Sequence, residues 1–145
     1  ITASIASIPE REPLLEQVLV AIAPQLIGIN LCLNGYAELP RCLSRLPVAV
    51  EVLRGDNQKG CGEKFRWAAE IAGYHLVLDD DILYPSDYVE RLIAWSQSYG
   101  DRAVVGVHGF RFTRFPVEHY VQDRDLFHFR SALGEREVCH VLGTG

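Results

Sequence analysis

Short apolar runs with strand character alternate with segments of helical spacing, and this alternation constrains the fold more than any other feature. Residues 2–8 are apolar and β-branched and stop at Pro9, which predicts a buried strand. In residues 12–23, Leu15, Val18, Leu19 and Ile22 recur at helical spacing, with Pro13 in the first turn where a missing N–H costs little. Further strands are expected at 27–33, stopped by Asn34-Gly35, and at 48–53, 74–78 and 103–107. Residues 54–62, with three glycines, Asp56 and Asn57, read as a loop. Helices are expected at 63–72, with Phe65, Ala68, Ala69 and Ala72 inward, and at 86–99, with Val89, Leu92, Ile93 and Trp95 inward. Pro85 and Gly100 bracket the second of these in the usual order. Phe110 and Phe112 alternate with Arg111 and Thr113 as in a half-exposed strand, signals are weak over 115–137, and 138–142 reads as a last strand. Such an order predicts an α/β layered fold with a mostly parallel central sheet, whose ligands sit at the carboxyl ends of the strands. Ser7 to Arg11, Asn34, the 55–62 loop and Asp79 to Asp81 then share one rim.

A length of 145 residues suits one domain, and 48% apolar with 23% charged residues is ordinary globular composition. Fourteen basic against nineteen acidic side chains leave a net charge of −5, a poor basis for neutralising the phosphates of nucleic acid. No apolar run is long enough for a membrane span. Cys32, Cys42, Cys61 and Cys139 include no C-x-x-C pair, so they read as reduced thiols of a cytoplasmic protein rather than zinc ligands. The chain contains no Met, starts within an apolar run and stops at Gly143-Thr144-Gly145, as an excised domain does.

The sharpest chemical feature is Leu76-Val77-Leu78-Asp79-Asp80-Asp81-Ile82-Leu83-Tyr84-Pro85, an apolar strand that delivers three consecutive carboxylates. In an extended chain Asp79 and Asp81 project one way and Asp80 the other. Like charges so close repel, and a divalent cation relieves the repulsion. Oxygen-only ligands suit Mg²⁺ or Mn²⁺, with phosphate and water completing the shell. A solvated acidic turn, with one Asp capping the following helix, is the plainer reading.

Together these pieces resemble the family 2-type glycosyltransferases of the GT-A fold. The matching residues are Ser4 to Ile8 with Pro9-Glu10-Arg11, the loop from Gly55 through Asp56 and Lys64 to Phe65, and Asp79-Asp80-Asp81 with Pro85 and Asp87. His108-Gly109 and Gly143-Thr144-Gly145 are similar to a bacterial subgroup that makes surface polysaccharide. The resemblance implies a layered α/β/α nucleotide-diphospho-sugar transferase fold and metal-dependent transfer of a sugar from a nucleotide diphosphate sugar to a glycan or other hydroxyl acceptor. Residues 1–145 are then expected to be a single nucleotide-sugar-binding domain, cut on its acceptor side.

By the same resemblance Ala6, Ser7 and Pro9 line the nucleoside pocket, although Ser7 equally suits a turn cap. Glu10 and Arg11 either approach the base and ribose or are solvated first-turn residues. Asn34 either reads the edge of a uracil, which favours a UDP sugar, or is a turn residue before Gly35. Asp56 and Lys64 resemble the second nucleotide-contacting segment, with Lys64 offsetting phosphate charge. Proline spacing aligns Asp80 with the family's metal-bound Asp, with Asp79 toward the ribose or donor sugar and Asp81 sharing the metal; a plain D-x-D reading makes Asp79 and Asp81 the pair. His140 is either a further metal ligand or a packed polar side chain, and His108 contacts the donor sugar. His75, inside a strand, is expected to be structural, and Trp67 and Trp95 are expected in the core. An inverting transfer needs a general base, for which Asp123 and Asp125 are the local carboxylates. Arg111, Arg114, Arg124, Arg130 and Arg136 balance Glu118, Asp123, Asp125, Glu135 and Glu137, as in a mixed surface or an acceptor-facing lid.

Two other classes compete. A haloacid dehalogenase-like phosphatase also places D-x-D after an apolar strand and binds Mg²⁺, but its nucleophile lies near the chain start and Leu83 stands where its Thr is usual. The other is a catalytically incomplete domain that binds a nucleotide without turnover.

Overall fold

A computed structural model describes residues 1–130 and 137–143. Thr144 and Gly145 of the terminal motif, and Glu135 and Arg136 of the charge balance, lie outside the described residues. The chain divides into two compact units, Ile1–Ala94 and Trp95–Gly145.

In the first unit, strands β1 (Thr2–Ser7), β2 (Gly28–Asn34), β3 (Ala49–Gly55) and β4 (His75–Leu78) form a parallel sheet of order β3-β2-β1-β4. The expected α/β class and parallel sheet are borne out here. Thr2 pairs with Gly28 on one side and His75 on the other, and Ile5 with Leu31 and Leu78. Ala3, Ser4 and Ile5 are all fully buried, so both faces of β1 are covered, as expected of a central parallel strand. Helix α1 (Glu12–Ile22) buries Leu15, Val18, Leu19 and Ile22, the four positions its spacing predicts. The chain steps from β1 to β2 to β3 in one direction and then returns to the far side of β1 for β4. That reversal is a topological switch point, and the crevice beyond the carboxyl ends of β1 and β4 is where such sheets bind ligands.

The expected helix over 63–72 is not α-helical. A 3-10 helix runs over Gly60–Phe65, and turns continue it through Arg66 N to Glu63 O (3.1 Å), Ala68 N to Phe65 O (3.1 Å) and Glu70 N to Trp67 O (3.0 Å). Two glycines in its first three residues weaken α-helix nucleation. At three residues per turn, positions 64 and 67 eclipse, so Lys64 and Trp67 are buried, whereas the expected inward Phe65 is 52% exposed. Burial of Trp67 is borne out; its indole N–H donates to Glu51 Oε1 at 3.3 Å.

Helix α2 (Tyr88–Ser98) is held at its start by Gln25, whose Oε1 accepts from Val89 N (3.0 Å) and whose Nε2 donates to Pro85 O (2.8 Å). It ends at Gly100, which has φ +64°, where the bond from Asp101 N to Ser96 O (3.0 Å) closes a Schellman-type cap.

The second unit carries an antiparallel sheet of order β6-β5-β7, from β5 (Gly109–Phe112), β6 (Arg124–Phe127) and β7 (Val141–Leu142). β6 falls where the sequence signals were weak, because its alternation is obscured by half-exposed Arg124 and exposed Asp125. The expected strand at 103–107 does not form. Val104 is 85% exposed, so the run lacks the burial that its apolar composition suggests. All four cysteines are free thiols, with Cys32 and Cys42 buried. Among the described residues, no helix is long and apolar enough to cross a membrane.

Candidate functional site

β1 ends at Ser7, and a 3-10 turn over Pro9–Arg11 carries Arg11 toward the end of β4. There Arg11 Nη1 donates to Asp80 Oδ1 at 2.8 Å and lies 3.1 Å from Asp81 Oδ2. Asp80 is buried, with its side chain only 5% exposed, while Arg11 is 47% exposed. The hydrogen bond and charge of Asp80 raise the Arg11 pKa further, so the guanidinium is permanently charged. Asp79 pairs instead with Lys64, whose side chain is 4% exposed.

This geometry corrects the expected alternation of the three carboxylates. β4 stops at Leu78, and the following residues bend out of the extended conformation. Asp80 and Asp81 therefore converge on a single nitrogen, and Asp79 turns to a different cation. The bend is held by Tyr84, a residue the sequence reading did not single out although it lies in the same segment. Its hydroxyl accepts from Asp79 N at 2.9 Å, and its ring packs 4.8 Å from that of Tyr88. Burial pushes both phenols well above the ordinary tyrosine pKa, so both keep their protons at neutral pH.

The remaining first-unit candidates lie along the same rim. Ala6 is half-buried, Ser7 is buried and Pro9 is exposed. Ser7 Oγ meets Tyr36 Oη at 3.2 Å, and Tyr36 Oη donates to Ile8 O at 2.9 Å, so Tyr36 pins the end of β1. Asn34 is buried: its Oδ1 accepts from Cys32 Sγ and its Nδ2 donates to Gly60 O, both at 3.4 Å. It thus joins the end of β2 to the glycine-containing loop. Asp56 Oδ1 accepts from Gln58 N at 3.0 Å and so shapes its own turn in that loop. Beside Pro9 and Tyr36 opens a groove of about 810 Å³, lined also by Glu12, Glu16, Glu38, Arg41 and Arg45. Its volume suits a small ligand, but Asp79, Asp80 and Asp81 are not in its wall. His75 bridges Thr2 Oγ1 and Ser4 Oγ, both at 2.8 Å, as a structural residue would.

In the second unit, Asp123 Oδ2 accepts from Glu118 N (2.9 Å) and His119 N (2.8 Å). These bonds hold its pKa below the usual carboxylate value, which makes it a weak base. Asp125 Oδ2 lies 3.3 Å from Arg111, which also meets Glu137 at 3.1 Å. His140 Nδ1 accepts from Phe112 N at 2.9 Å, and its ring stacks on Phe112. His108 lies edge-on to His128 at 5.1 Å. A Cβ at Gly143 would fall 2.3 Å from His108 Cδ2, so this glycine lets the backbone pass the imidazole.

Could the acid triplet hold a divalent ion? Its donors are hard oxygens, and Arg11 Nη1 marks a point within 3.1 Å of two different carboxylates. Among the described residues, no three His, Cys, Asp or Glu side chains form a ready metal-binding group. Mg²⁺-type sites commonly take only one or two carboxylates, with water and phosphate supplying the rest. Asp80 and Asp81 supply two such carboxylates, and Arg11 pairs with both.

The chain matches no protein-family model and no curated protein.

Proposed function

We propose that the protein is a metal-dependent glycosyltransferase that moves a sugar from a nucleotide diphosphate sugar, with UDP favoured, to a hydroxyl acceptor. The observation that carries the reading is the meeting of Asp80 and Asp81 with Arg11 beyond β1 and β4, at the switch point of a parallel sheet. A site that already balances three carboxylates with two cations suits a ligand that brings both a divalent ion and a diphosphate.

Asp80 and Asp81 would hold Mn²⁺ or Mg²⁺. When bound, the ion supplies Lewis-acid stabilisation of the departing nucleoside diphosphate. The chain's own residues prepare the place. Tyr84 fixes the backbone of Asp79, so the acidic turn does not reorganise as charge develops. Lys64 holds Asp79 on the side of the glycine-containing loop and offers positive charge near the diphosphate. Ala6, Ser7 and Pro9 line the nucleoside side of the rim, where Tyr36 keeps the end of β1 in place. Asn34, buried and anchored to Cys32 and Gly60, would act on the nucleoside side by holding the end of β2 against the glycine-containing loop. Of the two carboxylates considered as general base, Asp123 is engaged by two backbone amides and Asp125 is paired with Arg111, so the assignment of the base stays open to mutagenesis of both.

The test is a screen of UDP-, GDP- and dTDP-sugars for Mn²⁺-dependent release of nucleoside diphosphate by the full-length protein, with Asp80→Asn as control. Release with one base, lost in the variant, is the expected result. Hydrolysis of a phosphomonoester with no turnover of any nucleotide sugar would move the assignment to a phosphatase.

A further inference from the structure

We propose that Arg11 is a placeholder cation, occupying the position between Asp80 and Asp81 until a divalent ion displaces it. The inference rests on the reading that this carboxylate pair takes a divalent cation. One guanidinium nitrogen, Nη1, stands 2.8 Å from Asp80 Oδ1 and 3.1 Å from Asp81 Oδ2, between the two carboxylates that would hold the ion. Two cations cannot share that point, so entry of the ion and departure of Arg11 are a single event.

The geometry distinguishes Arg11 from Lys64 in this role. Lys64 is buried at 4% exposure and faces Asp79, so it has no open path away from its partner. Arg11 is 47% exposed, follows exposed Pro9 and Glu10 on a short turn, and meets each carboxylate through one nitrogen rather than a two-nitrogen fork. Its release into solvent therefore sacrifices single contacts, not a paired clamp. Without any cation there, buried Asp80 would face Asp81 unscreened; Arg11 thus stabilises the empty site and lowers its affinity for free metal. Once released, Arg11 remains on the rim where an anionic ligand would lie, so metal and diphosphate favour the same displaced state.

The experiment is titration of Mn²⁺ alone, without nucleotide, into the wild-type protein, Arg11→Gln, Arg11→Lys and Arg11→Gln/Asp80→Asn, followed by the EPR signal of free Mn²⁺. Arg11→Gln is expected to bind roughly two- to fivefold tighter than wild type, as loss of one half-exposed competing ion pair implies. Arg11→Lys, which keeps the charge, should stay near wild type, and the double variant should lose the site. In the unaltered protein, Mg²⁺ should shift the Arg11 Nε–Hε resonance, which keeps the inference testable should Arg11→Gln misfold. Equal or weaker Mn²⁺ binding by folded Arg11→Gln, or an Arg11 resonance indifferent to Mg²⁺ that does bind, would overturn the placeholder. Mn²⁺ binding by neither wild type nor Arg11→Gln would instead overturn the metal reading of the carboxylate pair. Tight binding that survives in the double variant would place the metal elsewhere and overturn both.

Discussion

Arg11 Nη1 lies 2.8 Å from Asp80 Oδ1, an ion pair that joins two residues 69 positions apart in sequence across the switch point of the parallel sheet. It links the turn after β1 to the turn after β4. Asp80 is thereby tied into the rim, as Asp79 is by Lys64, while Asp81 stays exposed beside Arg11.

The support of that rim can be tested at Tyr84. Tyr84→Phe keeps the ring beside Tyr88 but removes the acceptor for Asp79 N. An unsatisfied buried amide costs about 1–3 kcal/mol. Urea denaturation should show a loss of that size, and the Mn²⁺ affinity of the folded variant should fall.

At Gly55 the constraint is steric. A Cβ there would sit 2.1 Å from Asn34 Oδ1, inside a side chain already fixed by Cys32 and Gly60. Gly55→Ala should destabilise the protein by about 1–3 kcal/mol, the usual cost of overpacking. The denaturation midpoint is the readout, and Asn34→Ala in the same background should recover part of the loss.

Stability should also depend on pH through His75. Burial lowers its pKa from the ordinary value of 6.5, so the folded state binds the proton less readily than the unfolded chain. The contribution is fully present above pH about 6.5 and is lost as pH falls through the depressed folded value. The urea midpoint should therefore decline as pH falls below about 6.5. His75→Gln should flatten that decline.

Asp123 gives a local prediction. Asp123→Ala removes the carboxylate that accepts from the amides of Glu118 and His119. Hydrogen exchange of those two amides should accelerate, whereas the amides of β1 and β2 should keep their protection.

Much of the first unit was legible because its signals are local. The four strands, and the inward face of α1 at Leu15, Val18, Leu19 and Ile22, follow from composition and period. Over 63–72 the helical spacing of Phe65, Ala68 and Ala72 does not reveal that Gly60 and Gly62 favour a tighter turn that buries Lys64 and Trp67. The antiparallel sheet of the second unit was mostly hidden, since Arg124 to Phe127 alternates only weakly and gains its place through pairing with Gly109 to Phe112. At the site, the three carboxylates were plain in the sequence, but their partners were not. No spacing rule links Arg11 to Asp80, Lys64 to Asp79, or Gln25 to the start of α2, because these contacts exist only once the strands are ordered. Tyr84 differs in being local: it lies five residues after Asp79, and a backbone amide at a strand end needs an acceptor.

The most direct measurement for the central claim is calorimetric titration of UDP into the full-length protein with Mn²⁺ and with chelator, repeated for Asp80→Asn. Binding that requires Mn²⁺ and disappears in Asp80→Asn is the predicted result. UDP, GDP and dTDP all failing to bind in the presence of Mn²⁺, or binding equally well in chelator and in Asp80→Asn, would contradict it.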